Sequence, residues 1–337
     1  MAYDTGEVIY ASLGVLIAVP CCLGNLLVIW AVWTCGVLKQ QPIFCFIVSL
    51  AVADFLVGAV SVPLRVLADS RVQMPFYGCL SFCCWVLYLP LVSVFSQLSL
   101  ACDRFLRVII PLRYKTIVTT QRCWWVVAAC WLVAAVVSFT PLMGWNNRGN
   151  TPSGNWSDCQ FLDVMSMSYL VHFYFYTCFV VPMLIMTALY CGIFTLIRRQ
   201  LRRPSIGVSH LDYRKERNLI RSLVLVLVLF AGSWLPIHII DMVNYYVGVY
   251  TVPLGAVYAG ILLFQASSAI NPVIYALKIQ QIRRACRSIL RRVFCCKKEN
   301  AESGDSHTPA NNNDSSSNTR RARCDIEVKT DETSENW

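Results

Sequence analysis

Seven apolar stretches follow one another along this 337-residue chain, at roughly 8–34, 42–66, 77–108, 122–145, 168–198, 217–246 and 253–277. Each is long enough to cross a hydrocarbon layer of about 30 Å, which takes roughly 20 residues of helix. Within such a layer no water can satisfy free backbone groups, so each stretch must close its own hydrogen bonds as a helix. Composition agrees: 56% of the residues are hydrophobic and 14% charged, whereas about a quarter are charged in an ordinary soluble domain. The pattern predicts an all-α membrane protein, a bundle of seven transmembrane helices. Prolines at 20, 63, 90, 141, 182, 236 and 272 lie inside the stretches and are candidate kinks.

A net charge of +10 could suggest a nucleic-acid partner, but the charge is distributed by topology. With the amino terminus outside and seven crossings, 26 of the 29 Lys and Arg residues fall on the cytoplasmic side, all but Arg65, Arg71 and Arg148. This positive-inside asymmetry sets an orientation with the amino terminus outside and the carboxyl terminus in the cytoplasm. Nucleic acid is excluded as a partner. Anionic lipid suits the basic third inner loop, Arg198 to Arg221.

Four regions follow. Residues 1–7 are a polar extracellular start without a basic n-region, so the first span is expected to serve as an uncleaved insertion signal. Residues 8–277 form the bundle. Residues 278–296 alternate basic residues with Ile282, Ile289, Leu290 and Val293, a pattern for a short amphipathic helix in the interface plane, ending in the acylation candidates Cys295 and Cys296. Residues 297–337 are rich in Ser, Asn, Asp and Glu, and are expected to be a disordered cytoplasmic tail.

Most of the seventeen cysteines lie in apolar spans and behave as small hydrophobes. Cys79 and Cys159 fall on the outer face, where disulfides persist, and are the expected pair. Asn155-Trp156-Ser157 is a glycosylation sequon on an outer loop. Asn313 begins a second sequon on the inner side, where it is inert.

Polar residues inside the spans are costly and mark function. Asp54 lies midway along the second stretch, and Asn25, Ser93, Ser268 and Asn271 lie at comparable depths in others. They form either a hydrated site for a small cation or a hydrogen-bonded network without one. Asp103-Arg104 closes the third span; the aspartate is expected to hold the arginine in a charge-assisted contact, with Glu216 adding an opposing carboxylate. Trp234, His238 and Asp241 share a face near the outer end of the sixth span, which points to a cavity there. With four histidines there is no paired metal-ligand motif, phosphate loop or nucleophile elbow. The chain is not expected to be an enzyme. Matching interrupted halves, the mark of many transporters, are not found either.

These features, in this order, resemble the rhodopsin-like G-protein-coupled receptors, through Gly24-Asn25, Asp54, Cys79, Asp103-Arg104-Phe105, Trp131, Cys159, Pro182, Tyr190, Trp234-Leu235-Pro236 and Asn271 to Tyr275. The wording of GNLLVIWAVW, FCFIVSLAVADF, DRFLRVIIPLRYK, TPLMGWNN, SWLPIHII and INPVIYALKIQ is similar to that of the adenosine receptors. The resemblance implies a plasma-membrane receptor that binds a small extracellular ligand and activates a heterotrimeric G protein to modulate cAMP. Receptor kinases and arrestin would act on the tail. It assigns Asp103, Arg104, Tyr190, Glu216 and Tyr275 to G-protein activation and Asp54, Ser93, Ser268 and Asn271 to a sodium site, with no other cofactor. It also puts Phe161, Leu87, Trp234, His238, Asp241, Ile261 and Gln265 at ligand positions.

The ligand face departs from the family pattern. Asp241 replaces an asparagine, Leu162 a glutamate, Gln265 a histidine, Phe264 a hydroxyl residue, Gly14 an acidic residue, Pro90 a threonine and Tyr174 an asparagine. A carboxylate accepts hydrogen bonds, whereas an amide both donates and accepts. Three readings follow: adenosine or a close purine held by rearranged contacts, a different small cationic ligand paired with Asp241, or a receptor that signals without a ligand.

Overall fold

The structure, a computed structural model, describes residues 5–36, 38, 41–69, 72–148, 157–202, 210–248, 251–279 and 281–291, for 68, 69, 157, 200–202, 210–224, 226 and 278 the backbone alone. Asn155, Cys295, Cys296, the tail and the Glu216 side chain therefore lie outside the described residues. Seven helices long and apolar enough to cross a membrane are present among them.

The first span is one α-helix, Thr5–Thr34, with Pro20 inside it. The second runs Ile43–Leu56, passes through a π-helical turn at Val57–Ser61 and resumes as Val62–Asp69. The third, Phe76–Ile109, is followed by a short inner helix, Pro111–Ile117. The fourth, Thr120–Phe139, is capped by Thr119, whose hydroxyl accepts from the Arg122 amide. The fifth begins as a π-helix, Tyr169–Val180, and continues as Val181–Arg202. The sixth and seventh are His210–Tyr246 and Leu254–Lys278. Both π segments end just before a proline, Pro63 and Pro182. A proline removes one N–H from the ladder, and a locally wider turn absorbs the mismatch.

The spans close into a ring in which the first touches the second and seventh, and the third touches the second, fourth and fifth. The third is the axle: 72% of its most apolar stretch is buried, against 22% in the fourth. The outward faces carry Leu16, Trp33, Trp125, Leu132 and Leu184, all more than three-fifths exposed. A soluble protein rarely shows a continuous apolar surface of this kind. It is the lipid face.

Polar contacts tie the spans where prolines break them. Pro90 leaves the Val86 carbonyl without its helical donor, and the Ser61 hydroxyl donates to it at 3.4 Å. The Tyr174 hydroxyl, from the fifth span, donates to the adjoining Leu87 carbonyl at 3.0 Å. Pro272 likewise frees the Ser268 carbonyl, which accepts from Asn25 Nδ2 at 3.2 Å. Gly24 sits against the same proline: an added Cβ would lie 3.1 Å from its ring. Trp131 Nε1 donates to Ser49 Oγ at 3.0 Å, and Ser49 meets Ser96 at 3.0 Å, joining spans two, three and four.

Outside the membrane layer, Gln73–Met74 pairs antiparallel with Ser157–Asp158. Cys159 follows directly and is bonded to Cys79 at the start of the third span, as expected from the sequence. The disulfide and the two-stranded ladder hold the second outer loop over the bundle. At the inner end, 281–291 is helical. Its Ile282, Ala285, Cys286 and Ile289 pack on Val28, Val32, Ile43 and Ile47 of the first two spans. Of the residues that suggested this helix, Ile282 and Ile289 are buried against protein, whereas Leu290 is exposed. The helix docks on the bundle with one face and offers the other to its surroundings.

Candidate functional site

Three polar layers stack along the bundle axis. The middle one centres on Asp54, fully buried. Ser93 Oγ donates to Asp54 Oδ1 at 2.7 Å and Asn271 Nδ2 donates to Oδ2 at 2.7 Å. Ser268 is a further hydroxyl partner of the carboxylate. Asn25 Nδ2 reaches the Cys21 and Ser268 carbonyls, while its Oδ1 is buried with no partner. The sequence-predicted residues are thus brought together. One carboxylate, two hydroxyls and an orphaned amide oxygen make a set of hard oxygen donors, which fits an alkali cation. One turn inward, Gln97, Phe230, Ser267 and Asn271 line a cleft, and Gln97 Oε1 is buried without a partner.

The inner layer differs from expectation. Asp103 does not form an ion pair with Arg104 among the described residues. It accepts the Tyr114 hydroxyl at 2.5 Å instead, and its second oxygen has no partner. Tyr114 is held in turn by Arg107, whose Nη2 donates at 3.1 Å and whose guanidinium lies 4.8 Å from the ring centre. Burial and the bond to Asp103 push the Tyr114 phenol up to about 12, so it is a donor at any physiological pH. The adjacent-residue geometry explains the difference: neighbours on a helix point about 100° apart, so Asp103 faces the inner loop and Arg104 faces the bundle. Arg104 stays within electrostatic reach of Asp103 but also of Tyr190 and Tyr275. Phe105 fits against Gly192, where an added Cβ would come within 2.7 Å of its ring. Tyr114 was not among the sequence-predicted site residues; its signal was a lone tyrosine in the basic inner loop.

The outer layer is aromatic below and polar above. Trp234 is buried among Phe179, Phe230 and Phe264, the last edge-on at 4.5 Å. His238 sits one turn outward, 5.0 Å from the rings of Phe175 and Phe179. Its Nδ1 lies 3.9 Å from Asp241 Oδ2, too far for a hydrogen bond. Both His238 nitrogens, Gln265 Oε1 and Asn244 Oδ1 are buried with no partner. Leu87 and Ile261 are buried beside them. The Tyr174 ring lies 6.3 Å from that of His238, with its hydroxyl on the Leu87 carbonyl. Phe161 opens the short helix Phe161–Val164 two residues after the disulfide.

Arg65 brings the outer layer together. Its guanidinium lies 4.8 Å from the centre of the Phe161 ring and within electrostatic reach of Asp241. The sequence marked it only as one of three outer cations. Its spacing from Asp54 gave no usable phase, because the π-helical turn at Val57–Ser61 lies between them. With Arg65 beside it, Asp241 already has a cation within the protein, which counts against a cationic ligand.

A bundle of seven membrane helices with a buried carboxylate at mid-depth, an arginine at the inner end and an aromatic-floored polar pocket outside defines a membrane receptor. A family model, 7 transmembrane receptor (rhodopsin family), matches residues 24–275. The adenosine receptor A3 of Bos taurus is 39% identical over 300 residues, covering 88% of this chain and 94% of its own. The adenosine receptor A3 of Canis lupus familiaris is 38% identical over 90% of this chain and 96% of its own length. The adenosine receptor A2b of Gallus gallus is 36% identical over 87% and 91%. The chain belongs to the rhodopsin family of seven-transmembrane receptors and, within it, to the adenosine receptor subfamily. It is an adenosine-receptor-like G-protein-coupled receptor of the plasma membrane, a signalling protein with a small-molecule ligand and a G protein as partners, and not an enzyme.

Proposed function

We propose that this receptor binds a small extracellular purine, adenosine or a close relative, in the outer layer and thereby activates a heterotrimeric G protein that modulates cAMP. The observation that carries the reading is the set of buried polar atoms without hydrogen-bond partners on His238, Gln265 and Asn244, with Asp241 3.9 Å from His238. Each such atom costs roughly 1–3 kcal/mol while unmet. A ligand with polar edges and a flat ring removes that cost and covers the Phe161 face. A receptor without a ligand would leave the cost in place.

Ligand seated on Trp234 and His238 would act on the sixth span beside Pro236, a ready bend. Movement of that span would expose the inner layer, where Arg104, Tyr190 and Tyr275 meet the G protein and Asp103 stays on Tyr114. Glu216 would face this opening. The test is a purine panel on cells expressing the full chain, read by G-protein activation and cAMP. A saturable response to one or more purine nucleosides is expected; no response to any would refute the reading.

A sodium ion would be held by Asp54, Ser93, Ser268 and Asn271, supplying a positive charge that steadies the resting bundle. Replacing sodium by a bulky organic cation should raise agonist affinity severalfold, and Asp54→Asn should abolish that difference. An unchanged affinity would remove the ion from the account. The amino terminus and Asn155 lie outside the cell, the latter carrying a glycan that a glycosidase should release. Cys295 and Cys296 carry acyl chains that anchor the end of the docked helix, which hydroxylamine-sensitive labelling would reveal. Receptor kinases and arrestin act on the tail, readable as agonist-dependent phosphorylation.

A further inference from the structure

The mouth of the outer layer presents an unusual combination of hydrogen-bonding types around one aromatic face. Asp241, its side chain 17% exposed, offers two oxygens that accept and, when ionised, none that donates. Arg65, within electrostatic reach of it, carries a planar fork that only donates. Its guanidinium carbon lies 4.8 Å from the centre of the Phe161 ring. A flat heterocycle entering here needs two neighbouring donors on one edge and two neighbouring acceptors on the next.

Adenine does not meet that demand. Its exocyclic amine donates beside a ring nitrogen that accepts, which is the complement of an amide rather than of a carboxylate. A 2-amino-6-oxopurine does meet it. Its ring N1–H and exocyclic amine donate side by side, and its O6 and N7 accept side by side. Arginine recognises that O6–N7 pair bidentately wherever guanine is read.

We propose that the pocket selects a guanine-type purine nucleoside, with Asp241 accepting from N1–H and the 2-amino group, Arg65 donating to O6 and N7, and the ring stacked on Phe161. The proposal rests on the purine reading above and names which purine. The ribose would then point down toward His238 and Gln265, whose unpartnered atoms supply contacts for its hydroxyls. The positive side chain at the mouth serves the base rather than the sugar.

The experiment uses the full-length receptor in cell membranes, with G-protein activation recorded against guanosine, inosine and adenosine. Guanosine should be at least about tenfold more potent than adenosine, the size expected of one good bidentate contact. Inosine, which lacks the 2-amino group, should fall between them. Asp241→Asn is nearly isosteric and should invert the order, weakening guanosine about tenfold and strengthening adenosine. Arg65→Gln should weaken guanosine and inosine more than adenosine, which controls for a general loss of folding, since that would lower all three alike. Adenosine potency above that of guanosine, with Asp241→Asn leaving the order unchanged, would overturn the proposal and leave the purine reading intact. Silence toward all three nucleosides would overturn both.

Discussion

Replacing Arg104 with alanine should abolish agonist-driven nucleotide exchange on the G protein while leaving ligand affinity nearly unchanged. The arginine lies at the inner end of the third span, in electrostatic reach of Tyr190, which interacts with Tyr275. Two spans besides its own therefore converge on one guanidinium. A hydrogen bond from the guanidinium to the G protein would contribute about 1.5–3 kcal/mol, so losing it should reduce exchange by one to two orders of magnitude. The ligand site is several turns away along the same helix, and nothing in the outer layer touches the arginine. Conversely, Tyr114→Phe removes the donor to Asp103 and the acceptor for Arg107, leaving a buried carboxylate with neither oxygen bonded. Nucleotide exchange measured in membranes from the two variants separates the roles. Full exchange with Arg104→Ala would show that the inner tyrosines, not the arginine, form the activating contact.

The second large effect belongs to the outer face. The Cys79–Cys159 bond closes a loop of 80 residues. In the chain-entropy picture a crosslink of that span stabilises the fold by about 4.5 kcal/mol. Folded proteins hold only about 5–15 kcal/mol in reserve, so Cys79→Ala should remove most of the properly folded receptor from the cell surface. The loss has a local component too. Cys159 ties down the strand Ser157–Asp158, and its amide donates to the Val72 carbonyl at 3.0 Å. Phe161 follows two residues later, so the aromatic platform of the pocket depends on the same staple. Surface labelling and thermal stability of the solubilised receptor should both fall. The double substitution of Cys79 and Cys159 should be no worse than either alone, because each single change already breaks the bond.

The seven spans, the outer disulfide and the mid-depth cluster around Asp54 were legible in the sequence because lipid makes the relevant rules strict. A buried carboxylate must find partners, and few polar residues stood at its depth. Ser93 and Asn271 bond it directly, and Asn25 joins through the Ser268 carbonyl. The same reasoning was weaker at the inner end. Asp103 and Arg104 are adjacent in sequence, and adjacency suggested a pair, but helical geometry separates neighbours and hands Asp103 to Tyr114. The partner came from a loop helix whose direction no pattern of apolar residues encodes.

The ligand face was the least legible part. Tyr174 stands where the family pattern has an asparagine on the ligand face, and its hydroxyl answers a carbonyl beside the Pro90 break in the third span. Phe264, in the place of a hydroxyl residue, packs edge-on against Trp234 and contributes bulk. Arg65 gave almost no signal as a ligand residue, since a lone outer arginine usually marks only the edge of the membrane. Its stacking on Phe161 and its approach to Asp241 emerge from the distance between the second and sixth spans, which the order of residues does not record. Such long-range placements decide specificity, and the structure is where they become visible.

The central claim is that a small purine in the outer layer controls the inner layer's action on a G protein. The direct measurement is nucleotide exchange by a purified heterotrimer mixed with the purified receptor in lipid nanodiscs, with and without purine nucleosides. The account predicts a dose-dependent rise in exchange for wild type that Arg104→Ala removes. Exchange that does not change with any purine nucleoside, at any concentration up to millimolar, would contradict it.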